Sequence, residues 1–228
     1  MNNSQCGSAI VWIFIAVSLF AALTYAFNSG SRTSVGFLSD AQADGYADEI
    51  IAYGNEVKTA VRRLQLRGCN DDEVNFDNNL VAGYTNPSAP VGNKCDIFQT
   101  SGGGLRWNVA QNSALSTPGD FAIVAANEID GVGSDCAAAS CSELVIFLSN
   151  IKQEVCMSIN DSLGIPNPSG APPTDTTFTE TPEYVGTFSY VTTIGDEVGG
   201  AVLSGEKTGC FQETSGSTNI YYNVLIDQ

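Results

Sequence analysis

An uncharged stretch of 19 residues, from Ala9 to Phe27, lies near the start of this 228-residue chain. A helix of that length measures about 28 Å, close to the hydrocarbon thickness of a bilayer. The stretch therefore predicts a membrane-spanning helix, preceded by a short leader or cytoplasmic N-terminus over residues 1–8. Residues 1–8 contain no Lys or Arg, and no small-residue cleavage site follows the apolar core, which argues against an ordinary secretory signal peptide.

A second helical pattern occupies residues 28–68, which we interpret as an amphipathic continuation of the first helix. Small or apolar residues recur there at alternating steps of four and three: Ala43, Ala47, Ile50, Gly54, Val57, Val61 and Leu64. This spacing places them on one helical face, and Gly68 suits the end of the helix. We expect the face to pack against the chain's own C-terminal domain, with neighbouring copies as the sharper alternative for part of its length.

Charge is divided unevenly along the chain. Residues 1–68 hold five basic and five acidic side chains, whereas residues 69–228 hold four basic and twenty acidic ones, so the whole net charge of −16 belongs to the second part. An acidic domain repels nucleic acid, so no nucleic-acid partner is expected. The chain also has no histidine, and so lacks the commonest general base and transition-metal ligand.

Six of the seven cysteines follow residue 68, and an even number in an exported domain indicates disulfides. Fifteen pairings are possible. The preferred one joins Cys69 to Cys95, Cys136 to Cys141, and Cys156 to Cys210, because the first two close local loops and the third ties a helix to a late strand. An oxidised domain must lie outside the cytoplasm. The predicted location is therefore a single pass through the inner membrane, with a cytoplasmic N-terminus and a periplasmic or extracellular C-terminal domain.

Residues 69–228 are expected to form one β-rich domain. The strand candidates, rich in β-branched and aromatic residues, are 105–109, 121–125, 144–148, 184–193 and 220–226. Asn150 is a candidate cap for a helix over residues 151–163, and residues 167–177 have the composition of an exposed loop. The predicted fold class is α+β: a long N-terminal helix, membrane-spanning and then amphipathic, packed against an antiparallel sheet with one short helix.

Two further features suggest ligand sites without specifying them. Four acidic residues, Asp71, Asp72, Glu73 and Asp77, lie near Asn75 and Asn78 and offer oxygen ligands to calcium. Their spacing is not that of an EF-hand, so a solvated acidic loop is the preferred interpretation. Trp107 is read as a core or sheet residue, with an exposed ligand platform as the alternative. No metal or cofactor site is predicted.

The plan of the whole chain resembles the type IV pilins and the pseudopilins of type II secretion. The matching residues are Gly7 followed by Ser8, the apolar run from Ala9, the stripe ending at Leu64, and the late cysteine pair. The resemblance implies leader cleavage between Gly7 and Ser8 by a prepilin peptidase, a helix that lies in the lipid bilayer before assembly, and a filament core formed by that helix. The family usually has a glutamate where this chain has Trp12.

The function that this resemblance implies is structural. The chain is expected to be a non-enzymatic, pilin-like subunit that assembles through its N-terminal helix, from Ala9 to Phe27 and beyond, with copies of itself or with related subunits into a pilus or pseudopilus. The alternative is a membrane-anchored periplasmic binding or interaction domain that does not polymerise.

Overall fold

The computed structural model describes residues 12–19, 38–175 and 178–228. The chain divides into two compact units, Met1–Ser39 and Asp40–Gln228. In the first unit, residues 12–19 are helical and exposed. All the other elements described below belong to the second unit.

Helix α1, Asp40–Leu66, opens the second unit. All seven residues of the predicted stripe are buried, together with Tyr53 and Ala60, so the periodicity of this segment is confirmed. Gly68 follows the helix with a φ of 90°, a left-handed conformation that glycine adopts without a Cβ penalty. The Cys69 N–H then donates to the Leu64 carbonyl over 3.1 Å, which ends the helix.

Six strands form one sheet in the order β3-β5-β6-β2-β1-β4. The strands are β1 Phe121–Ile129, β2 Glu143–Ile151, β3 Thr174–Asp175, β4 Thr192–Ile194, β5 Thr208–Glu213 and β6 Asn219–Ile226. The pairs β1/β2, β2/β6 and β5/β6 are antiparallel. The pairs β1/β4 and β3/β5 are parallel. The sheet is therefore mixed.

The segment that follows β4 reaches the strand at the opposite edge of the sheet. The Gly195 N–H donates to Asp175 Oδ2 over 2.7 Å, and the Thr174 N–H donates to the Gly199 carbonyl over 3.2 Å. Strong right-handed twist brings distant strands of a sheet close together in this way. The two short edge strands are thus covered by chain rather than left open.

Helix α2, Gln153–Leu163, crosses behind β5 and β6 and contacts α1. Its prediction is confirmed over most of its length, but its start is wrong, because Ile151 still belongs to β2 and the N-cap is Lys152 rather than Asn150. Gly164 ends it in the left-handed region, with a φ of 77°. Ser158 Oγ donates to Asp44 Oδ1 over 2.6 Å, which joins the two helices.

The predicted fold class is wrong. The sheet is mixed rather than antiparallel, and no long membrane-spanning N-terminal helix packed on such a sheet occurs among the described residues. Strands β3 and β5 were not predicted, and β4 was predicted only at its first two residues. With two and three residues, β3 and β4 are too short for an alternating pattern. The candidate strand 105–109 is irregular, and only the end of 184–193 is a strand.

The predicted location is also wrong. Within residues 12–19, 38–175 and 178–228, no helix is long and apolar enough to cross a membrane. Of the stretch from Ala9 to Phe27, the structure describes eight residues, 12–19, and the remainder lies outside the described residues.

Candidate assembly surface

The side of α1 that faces away from the sheet is a continuous exposed surface, which we call the outer face of α1. Its exposed residues include Asp40, Asp48, Thr59, Arg62 and Arg63. The acidic members lie in the first turns and the basic members in the last turns, an order that complements the helix dipole at each end. The outer face therefore carries negative charge at its N-terminal end and positive charge at its C-terminal end.

Hydrogen bonds within the chain occupy some charged residues of α1 and leave others free. Glu49 Oε2 accepts a hydrogen bond from Gln111 Nε2 over 2.6 Å, and Arg67 Nη1 donates to the Gly102 carbonyl over 2.9 Å. Among the described residues the ion pair is Lys207 with Asp227. Asp48 and Arg62 consequently form no ion pair within that part of the chain.

A shallow hollow of about 310 Å³ lies on the C-terminal half of the outer face. Its lining consists of small or short side chains flanked by charged ones: Ala52, Asn55, Glu56, Thr59, Ala60, Arg63 and Leu105. Short side chains allow another helix or backbone segment to approach closely. The hollow is open and contains no buried catalytic group.

The opposite side of α1 is fixed to the sheet by close packing. A Cβ at Gly54 would overlap Tyr221 Oη, so only glycine fits at this crossing. Beside it, Asn223 Nδ2 donates to Asn55 Oδ1 over 3.1 Å. Tyr53 Oη accepts a hydrogen bond from the Asn108 N–H over 3.1 Å, and burial raises the Tyr53 pKa to about 12. These contacts hold the outer face in a defined orientation on the second unit.

Three disulfides fasten the loops of the second unit. They are Cys69–Cys95, Cys136–Cys141 and Cys156–Cys210, with Cα separations of 5.8, 5.8 and 5.4 Å. These are the three pairs preferred from the sequence. The third joins α2 to β5, and the Asn160 side chain bonds both the carbonyl and the N–H of Cys210 next to it.

Two buried glutamates lie beneath the loop that carries Cys136–Cys141, and the sequence analysis missed both. Glu128 accepts hydrogen bonds from the N–H groups of Cys136 and Ala137 over 3.1 and 3.0 Å. Glu143 Oε2 accepts one from the Ile129 N–H over 2.7 Å, while its Oε1 has no partner among the described residues. Burial raises the pKa of Glu143 to about 8, and the charges of Glu128 and Asp135 act in the same direction.

The local sequence does not predict that these two glutamates are buried. Both glutamates stand in runs of β-forming residues, where an outward-facing acid is the ordinary expectation. Only the tertiary register shows that Glu143, with 0% exposure, faces inward opposite Asn127.

The residues that the pilin resemblance singled out fall largely outside this surface. Gly7, Ser8, Ala9 and Phe27 lie outside the described residues. Trp12 is described and is 69% exposed within its short helical segment. The proposed leader cleavage and helix assembly thus remain predictions.

The acidic loop after α1 is occupied by internal hydrogen bonds. Gln65 Nε2 donates to Asp71 Oδ1 over 2.8 Å, and the Asn70 N–H donates to Glu73 Oε2 over 2.8 Å. Asn75 Nδ2 binds Asp96 Oδ1 over 3.0 Å. In the described part of the chain, no group of three or more acidic or cysteine side chains is placed to hold a metal ion.

Trp107 is only 8% exposed, so its predicted role as a core residue is confirmed, and it is not an exposed platform. Its ring packs against Tyr84 and Phe98, with centroids 5.6 and 5.3 Å away.

No protein-family model, no curated protein and no solved structure matches this chain.

Proposed function

We propose that this protein is a non-enzymatic, pilin-like structural subunit that assembles with copies of itself. The observation that carries the proposal is the outer face of α1. It runs along a helix of 27 residues, is negative at its start and positive at its end, and is packed on the sheet behind it. A surface with opposite charges at its two ends is complementary to a second copy shifted along the same direction.

Helical geometry defines the shift. Asp48 and Arg62 are separated by 14 residues, which is close to four turns, so both lie on nearly the same side of α1 and about 21 Å apart along its axis. Two parallel copies displaced by that distance bring Asp48 of one opposite Arg62 of the next. The contact is heterologous and therefore repeats into a fibre rather than closing into a dimer.

The disulfides and the acidic surface support the same proposal. Three cross-links stabilise the folded domain of each copy. The acidic head, which carries the net charge of −16, keeps the remaining surface of each copy from associating nonspecifically.

A charge-exchange experiment tests the proposal. Full-length protein is examined for filaments by electron microscopy and sedimentation. Asp48→Lys and Arg62→Glu should each reduce assembly, because one places two positive ends together and the other two negative ends. A mixture of the two variants should restore assembly, since alternating copies again meet with opposite charges. Asp196→Lys, an exposed substitution outside α1, is the matched control and should leave assembly unchanged.

Absence of filaments from the native protein, or failure of the mixture to recover what each variant loses, would contradict the proposal. Higher salt should weaken assembly of the native protein, because exposed charges are screened within about 10 Å at 0.1 M.

A further inference from the structure

A second hollow has a volume of about 340 Å³. It adjoins the hollow on the outer face of α1, and Leu105 lines both. We call it the Trp107 hollow. Its lining consists of Asn78, Asn79, Leu80, Phe98, Gln99, Leu105, Arg106 and Trp107. Its volume is at the lower end of the range of small-molecule sites. Nothing in the proposed assembly requires it.

The walls of the Trp107 hollow are held in place before any ligand arrives. Cys95 is linked to Cys69, and the next residue, Asp96, accepts the amide of Asn75 over 3.0 Å. The Ile97 carbonyl accepts the Leu105 N–H over 3.1 Å, which closes the turn that carries Gln99. At that turn a Cβ on Gly102 would overlap the Asp96 carbonyl, so the backbone at Gly102 lies directly against the backbone at Asp96. A preformed site avoids the entropy cost of ordering its own loops on binding.

Several polar groups at the Trp107 hollow have no partner within the described residues. The side chains of Asn79, Gln99 and Arg106 are exposed and make no hydrogen bond or ion pair there. Beside these groups lie the apolar surfaces of Leu80, 66% exposed, and half-buried Phe98.

The chemistry of this lining selects the ligand. Two amides can donate and accept at once, whereas the guanidinium group only donates, so the ligand must be rich in oxygen acceptors and also carry hydroxyl donors. The apolar walls require a C–H face. Arg106 is one of only four basic residues against twenty acidic ones in residues 69–228, so the surrounding field opposes an anion. We propose that the Trp107 hollow binds a neutral sugar residue of a glycan.

Fluorescence provides a direct test, because the chain has two tryptophans, Trp12 and Trp107. Full-length Trp12→Phe protein with its disulfides intact reports on Trp107 alone. The probes are the methyl glycosides of glucose, galactose, mannose and N-acetylglucosamine, each titrated to about 20 mM, since a single sugar held by a few contacts binds in the millimolar range. At least one of the four should change the emission of Trp107 saturably.

Variants then locate the binding. Arg106→Ala and Gln99→Ala, each in the Trp12→Phe protein, should weaken the sugar about tenfold, the ordinary effect of losing a direct hydrogen bond to a charged or amide group. Lys94→Ala removes an exposed positive charge outside the lining of the hollow; it is the matched control and should bind the sugar as before. Circular dichroism checks that every variant is folded.

Three results would overturn the inference: no response to any of the four sugars, equal affinity in the Arg106→Ala and control proteins, or saturation by acetate or inorganic phosphate in place of sugar. Absence of filaments from the native protein, with sugar binding retained, would refute the assembly proposal and leave this inference standing.

Discussion

Glu143 makes the stability of this protein depend on pH in a direction opposite to that of an ordinary surface acid. Its carboxyl group is fully buried and accepts a hydrogen bond from the Ile129 N–H. Glu128 and Asp135 lie close enough to oppose a second negative charge. The neutral, protonated form is therefore the form that the folded protein accommodates.

The size of the effect follows from the pKa. Burial raises the pKa of Glu143 from 4.5 to about 8. Between those values the folded protein retains a proton that the unfolded chain has released, so the free energy of unfolding falls as the pH rises. The slope is about 1.4 kcal/mol per pH unit, and the whole interval amounts to roughly 5 kcal/mol as an upper limit. Above pH 8 this contribution no longer changes, because the group is ionised in both states.

Glu143→Gln removes the titration while keeping an oxygen for the Ile129 N–H. Near pH 5 the variant should be about as stable as the native protein, and near pH 8 it should be more stable by about 3 kcal/mol. Urea denaturation followed by circular dichroism, with the disulfides intact, measures both proteins at half-unit steps from pH 5 to pH 8.5. Glu206→Gln, which changes an exposed glutamate, is the matched control.

The difference between the native and Glu143→Gln proteins is the decisive quantity, since repulsion among the other acidic groups affects both equally. A difference that stays constant from pH 5 to pH 8 would refute the reasoning. A pH-dependent difference of the same size in Glu206→Gln would also refute it, because the effect would then belong to the overall charge.

Two further predictions concern the packing of the second unit. Gly54→Ala should lower the free energy of unfolding by about 2 kcal/mol, measured by urea denaturation, because its Cβ would overlap Tyr221 Oη. Adding Tyr221→Phe should restore part of this loss, and no restoration would contradict the role of that contact. Replacing both cysteines of Cys156–Cys210 by serine should lower the free energy of unfolding by about 4 kcal/mol, because this disulfide closes a loop of 54 residues. The same replacement at Cys136–Cys141 should lower it by about 2 kcal/mol, because that loop has 5 residues. Equal losses would show that the length of the closed loop does not govern the stabilisation.

Local patterns predicted those elements whose formation depends on neighbouring residues. The alternating steps from Ala43 to Leu64 specify a helix with one apolar side whatever lies against it, and α1 buries all of these positions. The runs rich in β-branched residues that form β1, β2 and β6 are long enough to indicate strands. The cysteine pairs also followed from position along the chain, because two of the three join nearby segments.

Contacts between distant residues decided the rest. The strands β3 and β4 exist because β5 and β1 offer parallel partners, and two or three residues carry no pattern of their own. Burial of Glu143 results from the pairing of β2 with β1, which sets it opposite Asn127, a residue 16 positions earlier. No pattern around position 143 specifies that register. The Trp107 hollow likewise combines residues from 78 to 107 across a disulfide and a turn.

By itself, the sequence determined the amphipathic helix and the acidic character of residues 69–228, because periodicity and composition are properties of the chain alone. It favoured the observed cysteine pairs among fifteen possible pairings. The predictions of fold class and location were wrong: the sheet is mixed, and no described helix is long and apolar enough to cross a membrane. Only the tertiary structure decided which face of α1 stays exposed, which acids are buried and where unpaired polar groups converge. Each of these depends on what a residue meets in space, and that is set by the packing of the whole unit.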